Sequence, residues 1–317
     1  LAGEKIAESI GNQSLDYHAS TSGEIAETGR VSSIFGRDTE YIDIIPDMLD
    51  RPHPSIVDMG EEIPHDKWEE FLKDSGILLK DNFPYPLFTI LERFKNLEKK
   101  TLIINCLDQG IYGVNSETVL SEYFNYFIAG IKIIENIIKP DKIICIINTK
   151  IHQKYISELE SLNMELLSLP DMYPASLPHV VARIISGEEL FHKDLYLETE
   201  YLILNLETLF HTGQRIIRKL PYIETLVTVS GYGIARPQVV KARLGISMGE
   251  LIKQAGGFIG TTGKIILNNI FNGVSIVNTD FPVSKTTASL IILPKDSVRT
   301  PEPMPCISCG KCVDHCP

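Results

Sequence analysis

Two short apolar runs, Thr101-Leu-Ile-Ile-Asn105 and Lys142-Ile-Ile-Cys-Ile-Ile-Asn148, decide the fold class of this 317-residue chain. Both are apolar without alternation, which is typical of strands that are buried on both faces of a sheet. The segment from Ser116 to Lys139 lies between them and predicts one long amphipathic helix, with Ser116 as its N-cap and Pro140 just beyond its end. Strands and helices that alternate in this way predict a mostly parallel sheet covered on both faces.

The same alternation continues outward along the chain. A helical segment stops near Gly76, and the pattern further predicts helices at 152–162, 177–186 and 207–219 with strands at 164–169 and 201–205. We therefore predict a Rossmann-like α/β domain over residues 64–220.

Three further units flank this domain. Residues 1–50 predict a half barrel-sandwich of the biotinyl/lipoyl type, with a hairpin turn at Ser22-Gly23. A swinging-arm carrier needs an exposed lysine at its hairpin tip, and residues 19–23 contain none, which excludes a carrier. Residues 222–260 predict a β-grasp-like strand–turn–helix unit, in which Ser247 and Glu250 form a capping box. Residues 261–300 predict strands that complete the core, followed by a linker.

The C-terminal segment carries the most specific chemical signal. Cys306, Cys309, Cys312 and Cys316, followed by Pro317, have the C-x2-C-x2-C-x3-C-P spacing of a bacterial [4Fe–4S] ferredoxin site. A zinc ribbon is the main alternative, but it usually takes two separated C-x2-C knuckles. We therefore predict that these four cysteines bind iron–sulfur clusters and that residues 301–317 begin a ferredoxin-like domain.

The same motif indicates that the sequence is a fragment. In two-cluster ferredoxins the fourth cysteine of each run binds the other cluster, so Cys316 would serve a second cluster whose cysteines are absent. The other two cysteines, Cys106 and Cys145, lie in apolar runs and are interpreted as buried strand residues. The chain also begins at Leu1. We expect a piece cut at both ends, with two clusters in the intact protein and an incomplete complement here.

Charge and hydropathy exclude two classes of protein. The net charge of −11 argues against a nucleic-acid-binding surface, which needs clustered Lys and Arg. No apolar stretch approaches eighteen residues, so no membrane span is predicted. Only two cysteines lie outside the terminal motif, which suits a reducing compartment.

The order of these units resembles a known family. Residues Val227 to Gly231 and Ala255-Gly-Gly257 are similar to the SLBB-type β-grasp segment of the C subunit of the Rnf ion-translocating electron-transport complex. That family is related to the NADH-binding flavoprotein subunit of respiratory complex I. The resemblance implies an α/β domain that binds FMN and NADH, and electron transfer to two [4Fe–4S] clusters. It further implies a peripheral place in a membrane complex, on the cytoplasmic face of the bacterial inner membrane, with the other subunits as partners.

The motifs that bind FMN and NADH in this family are altered here. The family's glycine-rich loop corresponds to residues 76–85, where only Phe83-Pro84 is kept and the bulky residues Leu78, Leu79 and Lys80 stand near it. Glycines let backbone N–H groups approach a phosphate, and these side chains would prevent that approach.

Two other motifs keep only some of their residues, and the kept ones are the candidate cofactor-binding residues Asp108, Tyr112, Asn205 and Thr208. One acidic position of the family has become Gly110, and one glycine has become Glu207, whose charge would repel a phosphate. Two functions stay open: an NADH-oxidising flavoprotein subunit, or a scaffold and electron relay that has lost FMN and NADH binding.

Overall fold

A computed structural model of the chain describes most of its residues, in the ranges 1–11, 14–34, 36, 38–54, 67–80, 84–108, 110–150, 152–162, 164–170, 172–190, 194–299 and 305–314. Their strands are β1 Lys5–Ala7, β2 Tyr17–His18, β3 Gly23–Ser32, β4 Asp38–Pro46, β5 Leu78–Leu79, β6 Tyr85–Pro86, β7 Thr101–Asn105, β8 Lys142–Ile147, β9 Glu165–Ser168, β10 Tyr201–Asn205, β11 Glu224–Ser230, β12 Gln238–Arg243, β13 Thr262–Leu267, β14 Val274–Ile276 and β15 Ser289–Pro294. The helices are α1 Trp68–Ser75, α2 Leu87–Lys95, α3 Asn115–Glu122, α4 Phe124–Ile138, α5 Ile156–Glu160, α6 Pro178–Ser186, α7 Leu195–Glu198, α8 Leu206–Arg218, α9 Met248–Gln254 and α10 Lys311–Asp314. Two 3₁₀ turns, Gln153–Tyr155 and Lys295–Ser297, complete the set.

The first sheet confirms the predicted fold class. Four strands in the order β10-β7-β8-β9 are all parallel, with Thr101 opposite both Tyr201 and Lys142. The central residues of β7 and β8 are fully buried. Their side chains are apolar at consecutive positions, as expected for strands of a sheet that is covered on both faces. The carboxyl ends of β7 and β10 therefore lie side by side, at Asn105 and Asn205.

The long predicted helix is divided into α3 and α4, which was not expected. Tyr123 breaks it, with φ −130° and ψ 25°, and its ring packs 5.0 Å from the ring of Phe210. Ser116 is not the N-cap, since it lies inside the first turn of α3. The helix predicted at 152–162 is shorter, with a 3₁₀ turn before α5.

Two glycines bring α4 and α8 together. A Cβ at Gly130 would overlap the carbonyl oxygen of Leu209, and one at Gly213 would overlap that of Tyr126. Any larger residue would have to push the two backbones apart, which close packing tolerates poorly. This contact positions the start of α8, where two of the candidate residues lie.

The second sheet has five strands in the order β12-β11-β15-β13-β14 and its own hydrophobic core. Helix α9 packs into that core through Met248, Leu251 and Ile252. Ser247 is its N-cap and accepts a hydrogen bond from the Glu250 N–H at 3.2 Å, as the capping-box motif predicts.

The N-terminal residues form two antiparallel pairs, β1 with β2 and β3 with β4. The hairpin does not turn at Ser22-Gly23 as predicted, because these residues lie at its base and the turn joins Ser32 to Asp38. That connection also contains no lysine, so the exclusion of a lysine-linked carrier still holds. The domain boundaries proposed from the sequence stay predictions.

In the C-terminal segment, the structure describes residues 305–314, which include Cys306, Cys309 and Cys312 but not Cys316. Among all described residues, no helix is long and apolar enough to cross a lipid bilayer.

Candidate functional site

A cavity of about 400 Å³ lies where the two sheets meet, beside the carboxyl ends of β7 and β10. Ligand sites in open parallel sheets lie at this edge, and the volume is in the usual range for small-molecule pockets. Asp108 and Asn205 line the cavity, whereas Thr208 is buried next to it and Tyr112 lies outside its lining. The remaining lining residues include Lys80, Asn115, Glu207 and the asparagines Asn268, Asn269 and Asn272.

Asn205 and Thr208 hold the backbone of Lys80 in place. Asn205 is the N-cap of α8, where its Oδ1 accepts hydrogen bonds from the Thr208 N–H at 2.9 Å and the Thr208 hydroxyl at 2.8 Å. Its Nδ2 donates to the Lys80 carbonyl oxygen. The Lys80 N–H in turn donates to Thr208 Oγ1 at 3.3 Å. Both residues are thus committed to protein contacts at the position where the family's loop would present backbone N–H groups.

The side chain of Lys80 forms a buried ion pair with Glu207. Its Nζ contacts Glu207 Oε2 and also donates to Thr225 Oγ1 at 3.1 Å. The side chains are only 7% and 12% exposed. The carboxylate of Glu207 is therefore compensated, which corrects the expectation that it acts as a free repelling charge. Two residues that depart from the family motifs, Lys80 and Glu207, are therefore partners of each other.

Asn115 completes this polar cluster and was not predicted from the sequence. Its Nδ2 donates to Glu207 Oε1 at 2.8 Å and to the Ala288 carbonyl oxygen at 3.0 Å. Its Oδ1 accepts from Thr228 Oγ1 at 2.6 Å. The position of Asn115 in the chain, ten residues after a buried strand, is the only sequence signal that could have indicated it. We call Lys80, Glu207, Asn115, Thr225 and Thr228 the buried cluster.

The two other candidate residues, Asp108 and Tyr112, are bonded to parts of the chain other than the Lys80 backbone. Asp108 Oδ1 accepts the Ser116 N–H at 2.9 Å and so satisfies one of the unpaired donors at the start of α3. Tyr112 has a positive φ of 74°, its carbonyl oxygen accepts from the Ser230 hydroxyl at 2.9 Å, and its ring packs edge-to-face on Tyr232. The structure thus places Asp108 and Asn205 in the lining of one cavity and Thr208 beside that cavity. Tyr112 instead lies at the junction with β11.

Among the described residues, this arrangement offers no phosphate cradle, and residues 81–83 of the corresponding loop lie outside them. A cradle needs several unpaired backbone N–H groups at close range. The Lys80 N–H is already bonded to Thr208, and the only cation lining the cavity among the described residues is already paired with Glu207. What the cluster can do chemically is join α3, α8 and the residue after β5 to strand β11 of the second sheet while keeping the cavity polar.

The iron–sulfur prediction for the terminal motif still rests on the spacing of its cysteines, since no group of three or more His, Cys, Asp or Glu among the described residues is arranged to hold a metal ion. Cys306, Cys309 and Cys312 are exposed free thiols. Ser308 and Gly310, which separate them, both have positive φ, 54° and 76°, so the backbone curls between successive thiols. The Ser308 N–H points to Cys306 Sγ at 3.4 Å, the kind of N–H···S contact that tunes bound clusters. Cys316, the fourth predicted ligand, lies outside the described residues.

Similarity to proteins of known family agrees with these observations. Residues 226–274 match the family model of the SLBB domain. The chain is 25% identical to the C subunit of the Na⁺-translocating ferredoxin:NAD⁺ oxidoreductase complex of Acetobacterium woodii, covering 99% of this chain and 72% of that protein. It is 26% identical to the C subunit of the ion-translocating oxidoreductase complex of Rhodobacter capsulatus, covering all of this chain and 63% of the relative.

A solved structure shows the same fold. The crystal structure of an air-oxidised NAD⁺-reducing [NiFe]-hydrogenase superposes with a TM-score of 0.59 at 16% identity. The superposition covers 73% of this chain and 47% of that chain, so the likeness concerns the fold alone. Along essentially its whole length, the chain is therefore similar to the C subunits of ion-translocating oxidoreductase complexes, which confirms the resemblance indicated by its motifs.

Proposed function

We propose that this chain is an electron-transfer subunit of a membrane-associated, ion-translocating oxidoreductase complex, in which it serves as scaffold and relay without binding FMN or NADH. The relatives are C subunits of such complexes, and the Acetobacterium woodii complex is named as a ferredoxin:NAD⁺ oxidoreductase. The proposal includes a peripheral position on the cytoplasmic face of the membrane.

The single observation that carries the proposal is the ion pair of Lys80 with Glu207. It occupies the position where the family implies a glycine-rich loop, and it is bonded on both sides to the protein. Opening that position for a phosphate would leave a buried charge without its partner, which costs several kcal/mol. A bound phosphate would also lack backbone hydrogen bonds worth about 1.5–3 kcal/mol each. The ion pair is therefore more stable than a state that binds a phosphate at this position.

The relay role rests on the terminal cysteines. Cys306, Cys309 and Cys312 would supply three thiolates to a [4Fe–4S] cluster, and Cys316 belongs to the same motif. When bound, such a cluster accepts and donates one electron at a time. The exposure of the three thiols suits exchange with a partner protein rather than with a site buried in this chain.

The NADH-oxidising subunit is the second candidate, and the cavity itself favours it. A volume of about 400 Å³ lined by Asp108 and Asn205 persists beside the ion pair. If nucleotide binding persists, it would have to use these side chains without the phosphate cradle.

Titration with FMN and with NADH separates the two candidates. We expect no binding of either ligand by calorimetry up to about 1 mM, which corresponds to a binding free energy weaker than about −4 kcal/mol. The protein as purified should likewise show no flavin absorbance. The reason is that neither the Lys80 N–H nor its ammonium group is free to meet a phosphate.

Micromolar binding that Asp108→Ala or Asn205→Ala abolishes would contradict the proposed relay function. It would favour the second candidate, a subunit that oxidises NADH. Asp280→Ala is the matched control, since its side chain is exposed and does not line the cavity. Its titration should equal that of the unmodified chain in either case.

A second prediction concerns the metal. After anaerobic reconstitution, we expect Cys309→Ser to lower bound iron and the thiolate-to-iron absorbance by at least about fivefold, because it removes a ligand from the middle of the motif. Cys145→Ala is the control, since Cys145 is buried in β8, distant in sequence from the motif. Equal iron content in Cys309→Ser and the unmodified chain would show that the motif does not bind the cluster.

A further inference from the structure

The hairpin of β3 and β4, which we call the ribbon, is an unfinished sheet. Its strands pair with each other from Gly23 opposite Pro46 to Ser32 opposite Asp38. Among the described residues, no third strand pairs with either of them. A two-stranded ribbon on its own is marginally stable in water, and its outer edges offer unpaired N–H and C=O groups to another strand.

The two edges of the ribbon are not equivalent. The register shifts between Ile25 and Glu27, so β3 carries an additional residue, Ala26, that β4 does not match. Such bulges blunt an edge against further pairing. Strand β4 has no such irregularity over Asp38–Pro46, and its edge is the one that can accept a strand.

Apolar side chains are exposed on the ribbon and just beyond it. Ile25 and Ile45 are 60% and 63% exposed, and Met48 and Leu49, which follow β4, are 86% and 66% exposed. Because Ile45 lies opposite Glu24 and Ile25 opposite Ile44, these side chains lie on both faces of the ribbon, and large exposed apolar side chains mark surfaces that another molecule covers.

The charge of the ribbon selects among the possible occupants. Its strands carry five carboxylates and one guanidinium, that of Arg30, which is paired with Glu40 at 3.2 Å. A second copy of the chain would bring the same negative charge to the contact, and an anionic lipid surface would also be repelled. A polypeptide segment with positive charges is the complementary occupant.

The base of the ribbon is fixed to the rest of the chain. The hydroxyl of Ser22 donates to Asp47 Oδ1 at 2.5 Å and accepts the Arg51 N–H at 2.9 Å. The Ser22 hydroxyl and the Arg51 guanidinium, 2.6 Å from Asp47, lower the pKa of that carboxyl to about 2. Asp50 beside it pairs with Arg243 of β12. The ribbon is therefore held in one orientation before a partner arrives, which reduces the ordering cost of binding.

From these observations we propose that the outer edge of β4 receives an extended, basic segment of another subunit by β-strand addition. Main-chain hydrogen bonds would supply the pairing, the apolar side chains Ile45, Met48 and Leu49 would be covered, and Asp38, Glu40 and Asp43 would meet lysines or arginines. The inference rests on the proposed function only in taking the partner from the same complex.

Hydrogen exchange tests the pairing directly. The outward-facing amides among residues 39–45, which do not pair with β3, should exchange at least about tenfold more slowly in the detergent-purified complex than in the isolated chain, because addition of a strand protects the outer edge. A benzoylphenylalanine placed at Ile45 should crosslink to a segment of another subunit that alternates apolar and basic residues. Equal exchange in both states, or a crosslink to a second copy of this chain, would overturn the proposal.

Charge reversal provides the matched comparison. Glu40→Lys with Asp43→Lys should reduce the amount of chain retained in the purified complex at least about tenfold, whereas Glu158→Lys with Glu160→Lys on the exposed face of α5 should not. Retention of both double variants in the complex would overturn the proposed strand addition at β4. It would not contradict the proposed function. If even the unmodified chain fails to co-purify, the proposed function falls and the docking falls with it. Iron content and Trp68 fluorescence of the isolated variants show that they are folded.

Discussion

Lys80→Met should lower the free energy of unfolding by about 3–5 kcal/mol, because it leaves the carboxylate of Glu207 buried without its cation. The remaining contact of Glu207 with Asn115 Nδ2 is a hydrogen bond to a neutral amide and cannot replace a full charge. Urea denaturation followed by fluorescence measures the loss. Trp68 is the only tryptophan, and it is buried in the core that α1 shares with the first sheet.

The double variant Lys80→Met with Glu207→Gln separates the cost of an unpaired charge from the value of the pair. Replacing both charges should recover most of the stability, since a buried ion pair is often no better than a neutral pair of similar size. Lys253→Met is the control, because its partner Glu250 lies on the surface and such pairs contribute less than about 1 kcal/mol. A Lys80→Met variant as stable as this control would contradict the buried pairing.

The parallel sheet could be predicted because its signal is local. Strands β7 and β8 are apolar at consecutive positions, and their length leaves no room for a buried helix. The N-cap of α9 is equally local, since the Ser247 hydroxyl accepts the Glu250 N–H, which is one half of the predicted capping box. In each case the residues that determine the structure are neighbours in the chain.

The pairing that closes the candidate site could not be predicted, because its residues are far apart in sequence. Lys80 and Glu207 are separated by 127 positions. Each was recognised as a departure from a family motif, but one sequence does not show that an added cation and an added anion neutralise each other. The break of the long helix at Tyr123 has the same origin, since the apolar period continues through it and only packing on Phe210 distinguishes that position.

Stability should also rise with pH above neutrality through a second buried lysine, Lys285. Its side chain is almost fully buried, and its Nζ donates to the carbonyl oxygens of Gly76 at 2.7 Å and Asp16 at 3.2 Å. The rings of Tyr17 and Tyr222 face it, with centroids at 4.4 and 5.7 Å. Burial lowers the pKa of Lys285 to about 7, and the nearby carboxylate of Asp16 opposes this shift only in part.

The direction of the effect follows from proton binding in the two states. Between the folded pKa of about 7 and the ordinary lysine value of 10.5, the unfolded chain binds a proton that the folded chain does not. The free energy of unfolding therefore rises with pH, by about 1 kcal/mol per unit between pH 7.5 and 9.5. The thiol of Cys106 acts in the opposite direction at the upper end of this range, because its hydrogen bond with Cys145 and its burial raise its pKa.

Comparison with Lys285→Met isolates the lysine from the thiols, which both proteins share. The difference in unfolding free energy, the unmodified chain minus Lys285→Met, should grow by about 2 kcal/mol from pH 7.5 to pH 9.5. Lys253→Met serves again as the control, since its ammonium group is exposed and pairs with Glu250 on the surface of α9. Parallel pH profiles for the unmodified chain and Lys285→Met would mean that the folded protein keeps Lys285 charged throughout. In that case, the carbonyl oxygens of Gly76 and Asp16, together with the two tyrosine rings, would stabilise the ammonium group as well as water does.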